Sequence, residues 1–462
     1  MSLLDVAWRS LGEDPAALAL VRDHGTAVPL TGVLPSGRFV HDAIAAAAFS
    51  ASLLAARRVG CAVSSVELDP IKVATAVTSD RHLRLNGKPV NAWAELSGFW
   101  PCSDGWVRTH ANYPHHRDAL ITGLDLPDDT GADGLLLALR SMRAADVEQR
   151  VIDAGGVATV VRTPEQWAEH PQAQKLAELP VVTVSPLGAA GSAAFRPTTV
   201  DAPCAGLRVL DLTRVIAGPV AGRTLALWGA DVLRIDSPQH PEISWVHTDT
   251  GAGKRSALLD LDDRDDRATF ERLLDTADVV LTGYRPGCLD RFGLSPAALA
   301  GRRPGIIVGR LSAWGTVGPL ADRRGFDSIV QAATGIAFVE GDDSGTPGTL
   351  PAQALDHAAG YLIAAGVTSA IRRRLDAGDS WLVEVSLARL ATELLQQRRP
   401  PQAPAASVEF VPTVSTKNGV TSAVAAAHYA GARTASAHRP SSGVQANQCG
   451  FPEIIPCRLW LA

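Results

Sequence analysis

Apolar and polar positions along this chain switch between two periods, most clearly from Leu207 to Asp236 (LRVLDLTRVIAGPVAGRTLALWGADVLRID). Arg208 to Leu212 is a short apolar run with β-branched content, which predicts a strand. Ala217-Gly218-Pro219 breaks it, and Val220 to Trp228 repeats apolar residues at helical spacing. Gly229 stands where a helix end takes a left-handed residue, and Asp231 to Ile235 predicts a second strand. A glycine turn at the carboxyl end of a buried strand brings backbone N–H groups and a helix N-terminus close to a ligand phosphate. The full G-x-G-x-x-G spacing is absent, so this block alone leaves ligand binding open.

The alternation continues downstream. Asp278 to Thr282, Gly305 to Leu311 and Trp381 to Ser386 are strand-like and separated by helical runs, which predicts an α/β domain over 206–395 around a largely parallel sheet. Residues 1–90 are Ala-rich and helical in pattern. Residues 91–183 mix short strands with a helix around Ala144 to Asp153, as a small α+β domain would. The stretch 184–205, rich in Pro, Gly, Ala and Ser, reads as a linker. The segment 396–462 lacks periodicity and has only Glu409 and Glu453 as acids, so it is expected to be a poorly ordered tail.

A weak internal repeat links Phe39–Thr75 to Ala354–Thr392. Each copy has an Asp opening an Ala-rich helix, arginines at the helix end, and a V-E-hydrophobe strand. Asp42 and Asp356 then correspond.

Length and charge narrow the classes. At 462 residues the chain exceeds one ordinary core, and a net charge of −5 gives no electrostatic reason to expect nucleic-acid or anionic-membrane partners. The cysteines (Cys61, Cys102, Cys204, Cys288, Cys449, Cys457) are scattered without a C-x-x-C pair, as reduced thiols would be. Asp5 and Glu13 interrupt the N-terminus, which has no basic region followed by an apolar core, so no secretory signal is expected. The run Ala43 to Ala56 reads as a buried helix rather than a membrane span. A soluble, cytoplasmic protein is the expectation.

Four short blocks carry candidate chemistry: Gly253–Ser256; Gly283-Tyr284-Arg285-Pro286-Gly287 with Leu289–Gly293; Arg323–Asp327; and Ala354-Leu355-Asp356-His357. Three set cations beside glycine or proline, as a phosphate-rich ligand requires, because Arg forks match phosphate oxygens and glycine lets the backbone approach. Each alone is more often a surface turn, and Asp356 alone is more often a helix cap for Ala358 to Arg372.

In this order after the opening βαβ unit, the blocks resemble the large domain of the family III CoA-transferases, the family of formyl-CoA and carnitine CoA-transferases and α-methylacyl-CoA racemases. The resemblance covers Gly206 to about Leu395 through RVLDLTRVIAGPVAGRTLALWGADVLRID, GKRSALLDL, ADVVLTGYRPGCLDRFG, RRGFDSIVQAATG and ALDHAAGYLIAAG with VEVSLA. Residues 91–175 resemble the family's small domain, here placed before the large one. The implied fold is α/β, a Rossmann-like large domain with a parallel sheet plus a smaller α+β domain, in a fused, rearranged order.

The resemblance implies roles. Asp356 matches the catalytic carboxylate. Val215 and its neighbours match the loop over the CoA nucleotide, and Gly283 and Tyr284, with Arg285 beside them, pack by the CoA. Arg291 and Arg324 hold its phosphates or pantetheine arm, and Lys254, like Arg255, shapes the same pocket. The implied activity moves CoA between carboxylic acids through an aspartyl anhydride and an aspartyl-CoA thioester, with acyl-CoA as substrate and no permanently bound cofactor or metal. An interlocked homodimer is implied, although the fusion also permits a one-chain pseudo-dimer.

Other readings stay beside this one. Racemases place a His before the Asp of the G-x-D motif, where this chain has Phe326 before Asp327, and a phenyl ring cannot relay a proton. His357 adjoins Asp356 but points about 100° away on a helix. A CoA-binding non-catalytic homologue is a further alternative, as is a Rossmann oxidoreductase using Asp236 for a ribose. His110, His115 and His116 match no common metal spacing.

Overall fold

The computed structural model describes residues 1–23, 25, 27–188, 198–398 and 409–429. Near the N-terminus, β1 (Val21–Arg22) pairs in parallel with β2 (Val66–Glu67), on either side of a 24-residue helix, Ser36–Val59. By length and composition that helix could cross a membrane, yet 94% of its most apolar window is buried within the protein. It packs on a second 24-residue helix, Ala354–Ala377. Both are rich in alanine at the contact, which lets the axes approach, and Ser50 Oγ donates to the Ala365 carbonyl at 2.9 Å where they cross. Both end at a left-handed glycine, Gly60 and Gly378.

Next come two short strands, β3 (Arg84–Leu85) and β4 (Lys88–Pro89), joined by an Asn86-Gly87 turn with both residues at positive φ. The small domain holds the antiparallel sheet β5 (Phe99–Cys102), β6 (Gly105–Thr109) and β7 (Ala158–Val160), with the helix Ala144–Asp153 in the place its pattern predicts.

The large domain is a seven-stranded sheet. Its strands are β8 (Thr183–Gly188), β9 (Arg208–Asp211), β10 (Asp231–Asp236), β11 (Arg255–Leu258), β12 (Val279–Thr282), β13 (Ile307–Ser312) and β14 (Ser380–Ser386). They lie in the order β11-β10-β9-β12-β13-β14-β8. The six from β9 to β14 run parallel, in the third-second-first-fourth-fifth-sixth sequence of a doubly wound nucleotide-binding fold. The first crossover helix, Ala217–Leu227, ends with Gly229 at φ +95°; the N–H of Ala230 reaches the Leu225 carbonyl and that of Gly229 the Ala226 carbonyl, as in a Schellman cap.

Three expectations need correction. The proposed linker 184–205 begins inside β8, an edge strand antiparallel to β14. At an edge, Pro186 is tolerated because its missing N–H need not serve the ladder. Residues 198–205 are likewise packed, with Ala202 and Cys204 buried; 189–197 lie outside the described residues. The supposed tail holds the hairpin β15 (Val414–Lys417) and β16 (Val420–Ala423), and β16 pairs with β3. Tyr429 is buried, and the Ala427 carbonyl accepts the Trp228 indole N–H at 3.1 Å. The rest of that tail, with Cys449 and Cys457, lies outside the described residues, whereas Cys61, Cys102, Cys204 and Cys288 are free thiols. Finally, the helix carrying Asp356 starts at Ala354, earlier than expected.

Candidate active site

The fold dictates where a ligand fits. The order in which strands join the sheet reverses between the parallel neighbours β9 and β12, so their following loops open a crevice at the carboxyl edge of the sheet. After β9 come Thr213, Arg214 and Val215. Val215 has φ +67°, a costly left-handed setting for a β-branched residue. Its N–H donates to Glu242 Oε2 at 2.8 Å, which holds the loop in that conformation. Helix Ala217–Leu227 follows at once and aims its N-terminus at the same crevice.

Lys254 lies beneath this loop rather than in the crevice. Its buried Nζ donates to Asp211 Oδ2 at 2.7 Å and to the Pro219 carbonyl at 2.8 Å, clamping β9 to the first helical turn. Burial lowers its pKa to about 8, with Asp211 opposing the drop. A Cβ at Gly222 would lie 2.4 Å from Asp211 Oδ2, so this ion pair requires the glycine. From there Lys254 shapes the loop from below and does not face the crevice. Arg255 forks onto Asp231, on the strand beside its own.

After β12, Gly283 and Arg285 are exposed at the crevice mouth, while the Tyr284 ring packs on the core beneath it and burial raises its phenol pKa. Arg285 donates to the Asp322 carbonyl at 3.0 Å. Arg291 pairs with Asp262 at 2.8 Å and covers the Phe292 ring at 4.3 Å, so its charge is answered at the surface. Arg324 differs: it is exposed, and among the described residues no carboxylate pairs with it. The expected cation set thus divides, with Arg324 available and Arg291 engaged.

Asp356 occupies the third position of helix Ala354–Ala377 and is 6% exposed. It does not cap that helix. Its own N–H donates to Asp327 Oδ2 at 2.9 Å, so Asp327 satisfies the helix start. Gln331 donates its amide N–H to Asp327 Oδ1 and accepts the Leu350 N–H at 2.9 Å, which locks the second acid. Burial, and then the neighbouring Asp327 charge, raises the Asp356 pKa well above the ordinary carboxylate range. Burial also lifts Asp327, to about 6. One turn after Asp356 on the same face, a Cβ at Gly360 would stand 2.4 Å from the Ala217 carbonyl. That close approach sets the Asp356 face of the helix against the first turn of helix Ala217–Leu227. His357 is buried elsewhere, its pKa lowered to about 3 by burial and by Arg223.

The small domain closes the crevice. His110 lies flat on Phe326, with ring centroids 3.7 Å apart and planes 3° from parallel. Burial keeps His110 neutral and lowers His116 to about 3. Tyr113 Oη donates to Glu242 Oε1 at 2.6 Å. Among the described residues no group of three or more His, Cys, Asp or Glu side chains is placed to hold a metal ion. Asp236, the ribose candidate, is buried and committed to Arg234 at 2.8 and 3.0 Å. Sequence reasoning missed Glu242, Tyr113 and the capping role of Asp327. The last was within reach, since the G-x-D motif was already singled out.

The model of CoA-transferase family III matches residues 204–431. An acyl-CoA transferase of Gibberella moniliformis is 34% identical over 301 residues, 61% of this chain and 53% of that protein. A probable fatty acyl-CoA transferase of Mycobacterium tuberculosis is 34% identical over 212 residues, 43% of this chain and 54% of that one. Among solved structures, a CAIB/BAIF family protein of Brucella suis aligns at 28% identity and TM-score 0.39, covering 42% of this chain and 56% of that one. The chain spans about half the length of the curated relatives it matches. Over residues 204–431 this chain is similar to CoA-transferase family III.

Proposed function

We propose that this protein moves CoA from an acyl-CoA to a carboxylic acid through covalent intermediates on Asp356. The carrying observation is the setting of that carboxylate. It is buried at a helix start against the crevice loop, its backbone is fixed by Asp327, and among the described residues no donor occupies its oxygens. A carboxylate with weak solvation and no fixed partner is a better nucleophile than one in water.

In the first step an Asp356 oxygen attacks the thioester carbonyl, the C–S bond breaks, and CoA leaves as thiolate with a mixed anhydride left behind. The thiolate then attacks the Asp356 carbonyl of that anhydride, which releases the donor carboxylate and leaves an aspartyl-CoA thioester. An acceptor carboxylate attacks this thioester and re-forms thiolate and a new anhydride. Thiolate attack on the acceptor's carbonyl yields the new acyl-CoA and restores Asp356. Each step conserves charge and needs no redox partner. Backbone N–H groups at the start of helix Ala217–Leu227 support the CoA phosphates, with Arg324 at the crevice mouth.

The small domain of the first half meets the large domain of the second within one chain, which favours a site completed in cis over one that depends on a second copy. The test is intact-mass spectrometry after incubation with a panel of acyl-CoAs and hydroxylamine trapping. A CoA or acyl adduct that maps to Asp356, and is lost in Asp356→Ala, supports the reading. Bound CoA with no adduct from any thioester overturns it in favour of a non-catalytic CoA-binding protein.

A further inference from the structure

Glu242 stands on the loop after β10, outside every motif that marks the site, yet it has more partners there than any residue the motifs contain. Its side chain is 2% exposed. It accepts the strained Val215 N–H at 2.8 Å, the Tyr113 hydroxyl at 2.6 Å, Arg234 Nη2 at 3.1 Å and the Ile243 N–H at 2.9 Å. Arg214, the residue before Val215, approaches it at 3.7 Å and lies over the Tyr113 ring at 4.9 Å. Burial opposes a charge here, but Arg214 and Arg234 hold the carboxyl below its usual range, so it is an anion.

Two of these partners belong to different domains. Val215 is on the crevice loop of the large domain; Tyr113 is on the small domain, 129 residues before Glu242 in the chain. A left-handed valine relaxes unless its surroundings over-determine it. The surroundings are this carboxylate, and the carboxylate is aimed in part by Tyr113.

We propose that Glu242 and Tyr113 are positioning residues, through which docking of the small domain holds the crevice loop in its CoA-binding conformation. Neither touches reacting atoms. The inference rests on the transferase reading for the identity of the ligand. It predicts that loosening the Tyr113 contact weakens CoA binding while the chemical step on Asp356, on another helix, proceeds.

Tyr113→Phe tests it in the full chain, because it deletes one hydroxyl and keeps the ring under Arg214. The expected result is a Kd for free CoA, and a KM for acyl-CoA, raised about tenfold, with kcat within about twofold, whatever the lost hydrogen bond does to the melting temperature. Glu242→Gln keeps an oxygen for the Val215 N–H but strips the charge from Arg234, so it should raise KM further. A purely structural latch would lower the melting temperature and leave Kd alone, and that result overturns the positioning role. Wild-type protein that itself binds no CoA overturns the transferase reading, and this inference with it. Wild type that binds CoA with a Kd unchanged in Tyr113→Phe overturns the positioning role alone.

Discussion

Asp327 accepts the backbone N–H of Asp356 at 2.9 Å, so one buried acid fixes the main chain of the other while raising its pKa. The two effects separate in Asp327→Asn, which keeps an oxygen for the N–H but removes the negative charge. In the proposed mechanism Asp356 attacks as the ionised carboxylate, so activity should rise with pH through its folded pKa, above the ordinary carboxylate value of about 4. In Asp327→Asn that acid limb should move to lower pH with the plateau rate retained. A pH profile of kcat/KM checks this; an unmoved limb would assign the Asp356 shift to burial alone. Asp327→Ala, which leaves buried N–H groups without an acceptor, should instead lose about 1–2 kcal/mol of stability.

Asp356→Asn should abolish the covalent adduct, lower turnover by roughly a thousandfold or more, and raise the melting temperature at pH 7 to 8. The sign follows from the direction of the shift. A carboxylate whose folded pKa is raised binds its proton more tightly in the folded state, so wild-type stability falls as pH climbs from the unfolded value towards the folded one. Asparagine lacks that loss. Its advantage should therefore shrink as pH drops below about 4, where both states of the wild type become protonated. Differential scanning calorimetry across pH reads this directly.

Asp42, the repeat partner of Asp356, has a different setting. Arg38 Nε lies 2.7 Å from its Oδ1 and the Leu4 N–H donates to Oδ2 at 3.2 Å, so the carboxylate ties the N-terminal helix to the helix Ser36–Val59. Asp42→Ala should lower stability by about 1–3 kcal/mol, through a buried N–H left unsatisfied, and leave turnover per folded enzyme within about twofold. Equal loss of activity from Asp42→Ala and Asp356→Ala would overturn the assignment of a single nucleophile.

What the sequence revealed, and what it hid, follows from packing. Strands β9, β10, β12, β13 and β14 are covered on both faces and so appear as apolar runs. Edge strand β8 carries Pro186 and Gly188 and looks like a linker. The hairpin β15–β16 did carry a signal: Asn418-Gly419, with both residues at positive φ, is the turn that two-residue hairpins favour, and Asn86-Gly87 repeats it in the same sheet. The surrounding Ala, Ser and Pro masked that signal. In the site, the motifs located Asp356 and the crevice loops. They could not say which cations are free, because that depends on Asp211 and Asp262, which are 43 and 29 residues away from Lys254 and Arg291.

That difference between cations gives the sharpest contrast. Arg324 is exposed beside Arg285 at the crevice mouth with no carboxylate partner among the described residues, whereas Arg291 already satisfies Asp262 and covers Phe292. A phosphate at the mouth would gain a charge-assisted contact from Arg324 but not from Arg291. Arg324→Ala should raise KM for acyl-CoA about tenfold, ~1.4 kcal/mol, with kcat little changed. Arg291→Ala should move KM by less than about twofold, since an exposed ion pair contributes little and its loss does not touch the crevice. Salt should separate them further: the KM of wild type should climb with ionic strength, and Arg324→Ala should flatten that climb where Arg291→Ala does not. Equal effects from the two substitutions would mean that Arg291 leaves Asp262 for the ligand, and the division of the cation set would fail.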